Sequence, residues 1–260
     1  MKITDQMGRT VRLNGKPKRI VSLVPSQTQL LHFFGLEEEV VGITKFCIHP
    51  KEWFTSKPRV GGTKSVDIEK VRALTPDLII GNKEENQRED ILALEAVAPV
   101  WMSDIFNLED ALFMMTQLGE ILGKSAVADA LKETIRSKFL QLEALVERSQ
   151  SKGKSVAYFI WRAPEMLSGK RTFVDEMIMM CGWKNATKLE RYPEATKEEH
   201  PDFVFLSSEP FPFKEKHIPE FEEYYPDAKV VLVDGEMFSW YGSKLAEAPD
   251  YFTTLIQSLS

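Results

Sequence analysis

Apolar positions along this chain fall into two alternating patterns. Short β-branched runs at 19–24, 40–43, 78–80 and 100–101 read as buried strands, and so do 156–161, 203–206 and 230–233. Helical spacing separates them. Pro25 and Ser26 end the first strand, and Ser26–Gln29 fits a capping box that opens a helix through Leu30, Leu31, Phe33 and Phe34 to Gly35. Residues 124–150 contain no Gly or Pro. Val127, Leu131, Ile135, Phe139, Leu142 and Leu145 recur there every three or four positions, predicting one amphipathic helix of about 35–40 Å. Residues 172–181 form another helix, stopped by Gly182. Strands alternating with helices predict an α/β fold with mainly parallel sheets.

The two halves echo each other. Thr75-Pro76-Asp77 and His200-Pro201-Asp202 each precede a buried run. Proline disfavours helical geometry in the residue before it, so each corner ends a helix and aims the chain into a sheet. The expected organisation is an N-terminal α/β lobe at 1–122, a linking helix at 123–152 and a C-terminal α/β lobe at 153–260.

Composition narrows the function classes. The 260 residues are 43% hydrophobic and 28% charged, with a net charge of −6 and no basic tract. Nucleic acid is not an expected partner, because phosphate binding needs clustered Lys and Arg. No apolar run is long enough to span a bilayer. Met1–Asp5 turns polar at once, so a secretory leader is not visible; the expectation is either a leader removed or a cytosolic chain. Cys47 and Cys181 lie in different halves and outside any CxxC pair, and two free thiols are expected. The chain carries no GxGxxG, GxxxxGK[ST] or GxSxG.

A family resemblance rests on a series of motifs. They are Thr4-Asp5-Gln6-Met7-Gly8-Arg9-Thr10-Val11, then residues 19–26 ending in Pro25-Ser26, then Gly42-Ile43-Thr44, Val60-Gly61-Gly62, and Ile68-Glu69-Lys70-Val71 leading to Thr75-Pro76-Asp77. Together they resemble the helical-backbone solute-binding proteins of ABC importers, the class that includes cobalamin, haem and siderophore receptors. The resemblance covers nearly the whole chain. It implies two α/β lobes joined by one long helix, a ligand cleft between them, and cobalamin or a related metal chelate as transported ligand rather than cofactor. It implies a monomer, periplasmic or at the membrane surface, that docks an ABC permease through one exposed Glu per lobe, facing permease Arg residues. Glu69 matches the first by position. In the second lobe Glu198 is the counterpart, although about one helical turn is missing before Pro201 and Glu194 competes for the role.

Ligands of open α/β sheets bind outside the carboxyl ends of strands. The loops there are rich in aromatics, and Phe46, Trp161, Phe211, Phe213, Phe238, Trp240 and Tyr241 are the candidate walls of a ligand site. The competing reading is that they pin the loops to the core. Arg162 and Lys45 follow strands and either could pair with an anionic ligand group or remain a solvated charge. Of four histidines, His49 is a weak candidate for an axial ligand to a bound metal complex. The rival functions are a bare metal-ion receptor and a cytosolic chelatase-like enzyme handling a tetrapyrrole, with His49 or Glu165 as its base.

Overall fold

The computed structural model describes residues 1–196 and 199–260. Glu198 therefore lies outside the described residues. By contacts the chain divides into two units. The first comprises Met1–Ile105, Glu109–Lys132 and Tyr241–Lys244; the second comprises Phe106–Leu108, Glu133–Trp240 and Leu245–Ser260.

The first unit is built on a four-stranded parallel sheet. Its spatial order is Val40–Ile43, Ile20–Ser22, Leu78–Asn82, Val100–Ser103. Numbering those strands by sequence gives 2-1-3-4. All of Leu78–Asn82 and Val100–Ser103 is buried, as a parallel sheet covered on both faces requires. An antiparallel ribbon, Lys2–Thr4 with Thr10–Arg12, precedes it. The motif Asp5–Arg9 is the turn of that ribbon. The buried Asp5 carboxylate accepts from the Met7 and Arg9 amides, from Arg9 Nε and from the Met102 amide, tying the turn to the sheet. Gly8 takes a φ of 74°, the left-handed region that favours glycine.

The second unit repeats this plan. Lys184–Asn185, Ser155–Arg162, Phe203–Ser207 and Lys229–Val233 pair in parallel, again in the order 2-1-3-4. The strand Glu165–Leu167 folds back antiparallel onto the end of Ser155–Arg162. Residues 162–166, which follow the predicted strand 156–161, are thus a hairpin. The core holds Ala157, Phe159, Val204, Leu206, Phe213 and Phe221.

The Pro–Asp corners have one physical explanation. Asp77 Oδ1 and Oδ2 accept from the amides of Arg19 and Lys18, at 2.9 and 2.8 Å. Asp202 Oδ2 accepts from the amide and hydroxyl of Ser155, at 2.8 and 2.9 Å. Each aspartate closes the entrance to the first strand of its own unit.

Two helices differ from expectation. The first runs Pro25–Phe33 with Val24 as N-cap and no side-chain cap. The expected capping box does not form, because Ser26, Gln27 and Thr28 are buried inside the helix. Proline at its first position needs no hydrogen-bond acceptor there. The long helix runs Ser125–Val146, about 33 Å. Its buried stripe is Ala128, Leu131, Ile135, Phe139, Leu142 and Val146, whereas Val127 is exposed and Leu145 half-buried. The contact boundary between units passes through this helix after Lys132. The helix Phe173–Met180 forms as expected, with Thr172 capping the Asp175 amide and Gly182 at φ 77°. No helix among the described residues is long and apolar enough to cross a membrane.

Candidate functional site

In a 2-1-3-4 sheet, the crevice at the strand C-terminal ends opens between strands 1 and 3, where the order reverses. The first unit has Leu23–Ser26 and 83–87 at that position. The second has the end of Ser155–Arg162 and residues 208–213.

In the first unit, hydrogen bonds hold the loops. Asn82 Oδ1 accepts from the amides of Glu84 and Glu85, at 2.8 and 3.1 Å. Asn82 Nδ2 donates to Ser103 Oγ at 2.9 Å. Asn86 Oδ1 accepts from the Asn82 amide, and Asn86 Nδ2 donates to the Thr63 carbonyl. Gln27 Nε2 donates to Ser103 Oγ at 2.6 Å. Asn82, Asn86, Gln27 and Ser103 are all buried. Gly81 is required beside them, since a Cβ there would lie 2.7 Å from Asn86 Oδ1.

Phe46 follows strand 2 of this unit and is 51% exposed. Lys45 Nζ sits over its ring at 5.1 Å. Cys47 beside it is buried and free, with Thr28 Oγ1 and Thr44 Oγ1 each 3.1 Å from its sulfur; burial pushes its thiol pKa up. His49 is half-buried. No group of three or more His, Cys, Asp and Glu suited to a metal ion occurs among the described residues.

In the second unit, aromatic packing joins hydrogen bonds in holding the loops. Trp161 is 40% exposed, and its indole N–H donates to the Ala163 carbonyl at 3.1 Å. Its ring meets Phe211 at 5.8 Å, Phe211 meets Phe213 at 4.8 Å, and Phe213 meets Phe221 at 5.6 Å. The series thus runs from an exposed Trp161, through a half-buried Phe211, to a core Phe213. Arg162 Nε and Nη2 both donate to Glu220 Oε2, at 3.1 and 2.8 Å, so its guanidinium is engaged within the protein. Burial, with Lys216 and Arg162 nearby, lowers the His217 pKa, and His217 Nδ1 accepts from the Lys214 amide.

The candidate run 238–241 is divided. Phe238 is wholly buried, packed on Tyr158 at 5.1 Å and Phe252 at 4.7 Å. It is a core residue and not an exposed wall, because the helix Gly235–Ser239 turns it inward. Phe213 is corrected in the same way. Trp240 is buried, and its indole N–H donates to Glu209 Oε1 at 3.0 Å. The same oxygen accepts from Ser239 Oγ at 2.5 Å. Tyr241 belongs by contacts to the first unit and is also buried. Glu209 and Glu85 were not singled out from sequence, although both stand in loops that follow predicted strands.

Glu69 lies in the first turn of the helix Ile68–Ala73, whose N-cap is Asp67. Its side chain is 81% exposed and pairs with Arg72 at 3.4 Å. The Lys70 amide holds the Asp67 carboxyl below its ordinary pKa. A surface hollow of about 470 Å³ lies elsewhere, between residues 9–12 and 95–100. There Arg9 is committed to Asp5, Glu95 and the Val100 carbonyl.

A family model for periplasmic binding proteins matches residues 20–221. The chain belongs to this family. An uncharacterized ABC transporter substrate-binding lipoprotein, YvrC of Bacillus subtilis, is 28% identical over 216 residues, covering 78% of this chain and 67% of its own. A vitamin B12-binding protein of Vibrio campbellii is 26% identical over 203 residues, covering 75% and 72%. The solved periplasmic heme-binding protein RhuT of Roseiflexus sp. RS-1 superposes with a TM-score of 0.80 at 19% identity, covering 93% of this chain and 98% of its own. That likeness concerns the fold, and it agrees with the α/β architecture expected from sequence. Periplasmic binding proteins of this kind serve transport and are not enzymes, which sets the chelatase alternative aside. They work in the periplasm or, as lipoproteins, at the membrane surface.

Proposed function

We propose that this chain is the substrate-binding component of an ABC importer and carries cobalamin or a related metal complex. The observation that supports this most is the Trp161–Phe211 pair at the strand-order reversal of the second unit. An exposed tryptophan there offers a flat apolar face to a flat ligand, and aromatic surfaces of this size are costly to leave in water without a partner. Phe46 offers a second such face in the first unit. A corrin, a porphyrin or a catechol siderophore presents matching π-faces. The vitamin B12-binding and heme-binding relatives support the same ligand class.

Partner and place follow the same reading. The protein acts as a monomer at the periplasmic side of the membrane. Glu69 docks an Arg of the permease, and Glu198 is its proposed counterpart. The test is a titration of the protein with cyanocobalamin, haem and a ferric catecholate, followed by visible spectra and thermal melting. A bound ligand at 100 times its Kd adds about 2.7 kcal/mol of stability. Failure of all three to bind, with a molybdate-type oxyanion or bare metal ion stabilising instead, would overturn the proposal.

A further inference from the structure

The strand-order reversal of the first unit lies between Ile20–Ser22 and Leu78–Asn82. The loop that leaves Leu78–Asn82 there is unusually fixed. Its two asparagines are buried and each makes hydrogen bonds through both ends of its amide. Such a loop presents its side chains without the entropy cost of ordering them on binding. One side chain it presents is Glu85. Its amide is bound to Asn82 Oδ1, while among the described residues its half-buried carboxyl has no hydrogen bond or ion pair. Burial raises its pKa, opposed by Lys64 and assisted by Glu84. The Lys64 ammonium is itself committed to the Glu84 carbonyl.

Glu85 and the exposed Phe46 flank one tight turn, Gly61–Gly62 with Ser65–Val66. Thr63 in that turn receives Asn86 Nδ2, and a Cβ on Gly62 would lie 3.2 Å from the Phe46 ring. The field of Glu85 also reaches Cys47, the residue after Phe46. An apolar face and a half-buried carboxyl without a hydrogen bond among the described residues therefore flank the same turn of the first unit.

We propose that Glu85 is the polar anchor of this surface and selects a complex whose rim donates hydrogen bonds, through carboxamides or hydroxyls, over one whose rim carries carboxylates. A carboxylate accepts charge-assisted hydrogen bonds from such donors. A ligand carboxylate in the same place meets like charge and leaves the half-buried Glu85 without a partner. The inference rests on the transport-ligand reading above.

The experiment compares cyanocobalamin, with its carboxamide rim, and haem, with its carboxylates, on the full chain. Wild type, Glu85→Ala and Glu85→Gln are titrated by visible spectroscopy, and their melting curves establish that each is folded. Wild type is expected to favour cyanocobalamin. Glu85→Ala weakens that ligand at least tenfold and leaves haem unchanged or tighter. Glu85→Gln, which keeps an acceptor oxygen without the charge, weakens cyanocobalamin less and narrows the preference. A wild type that prefers haem overturns the inference, as does a change of equal factor for both ligands in either variant. If neither ligand binds wild type, this inference falls, and the transport-ligand reading falls with it only when the ferric catecholate also fails to bind; if both bind and residue 85 is irrelevant to the preference, only this inference falls.

Discussion

The two units share a strand order and differ at the place where that order reverses. In the first, buried amides and hydroxyls lock the loop after strand 3, and a carboxyl stands at its tip. In the second, the equivalent loop is held by the packing of Phe211 and Phe213 together with hydrogen bonds of Ser207 and Glu209, and an indole stands beside it. The opposite ends of the two sheets are alike, each closed by an aspartate after a proline. The strand N-terminal ends thus carry the shared architecture, and the C-terminal ends carry what distinguishes the units. A polar lock is directional and fixes a loop tightly. An aromatic lock is tolerant of small shifts and gains its energy from area.

The sharpest way to break this comparison is to remove an aromatic from each end of the burial range. Phe238→Ala deletes a wholly buried ring and should cost about 3–5 kcal/mol in urea unfolding. Trp161→Ala should cost much less stability, because the ring is 40% exposed. Similar losses for the two would show that Trp161 is a core residue and not a ligand face.

The two kinds of lock are tested next. Asn82→Leu leaves the Glu84 and Glu85 amides without their acceptor and removes one donor from Ser103 Oγ, and should cost about 1–3 kcal/mol. Phe211→Leu keeps the apolar packing and should cost less than about 1.5 kcal/mol. Hydrogen exchange at the Glu84 and Glu85 amides should speed up in Asn82→Leu alone. Unchanged exchange there would mean that the amide network does not hold the loop.

Binding follows with a smaller energy. Phe46→Ala and Trp161→Ala should each weaken the bound complex by about 0.5–1.5 kcal/mol beyond the lost area. Glu69→Arg should leave ligand affinity intact and slow association with the cognate permease at low salt. A permease on-rate insensitive to Glu69→Arg would remove that residue from the docking surface.

The parts of the fold open to sequence reasoning were those set by periodicity. Parallel strands, the long helix and the paired Pro–Asp corners all follow from apolar spacing and proline geometry. Periodicity says nothing about which way an aromatic in a short connection turns. Phe211, Phe213 and Phe238 look equivalent in sequence, yet packing places them half-buried, buried and wholly buried. The capping box at Ser26 failed for a related reason: the pattern fits equally well when its hydroxyls are needed inside, and Thr28 Oγ1 lies 2.8 Å from Ser22 Oγ. Glu85 was hidden because its environment comes from Asn82, Asn86 and Thr63, and a side-chain network over that span leaves no periodic trace.

The smallest effect separates the two corners that otherwise look alike. Asp202 accepts from the Lys154 ammonium at 2.7 Å as well as from Ser155, and these hydrogen bonds, Lys154's first, lower its pKa. A carboxyl with a lowered folded pKa adds stability that is fully present above its unfolded value, about 3.9, and is lost as pH falls through the folded value. Among the described residues the Asp77 carboxylate accepts only from the amides of Lys18 and Arg19 in the corresponding corner. The Asp202 side chain is 36% exposed, so solvent screening limits its ion pair to about 0.2–1 kcal/mol. Asp202→Asn should therefore be less stable than wild type at about pH 7, and the gap should close as pH falls toward about 3. Urea midpoints at the two pH values measure it. A gap that stays constant would show that the Asp202 charge contributes nothing and that the second corner, like the first, is held by backbone amides.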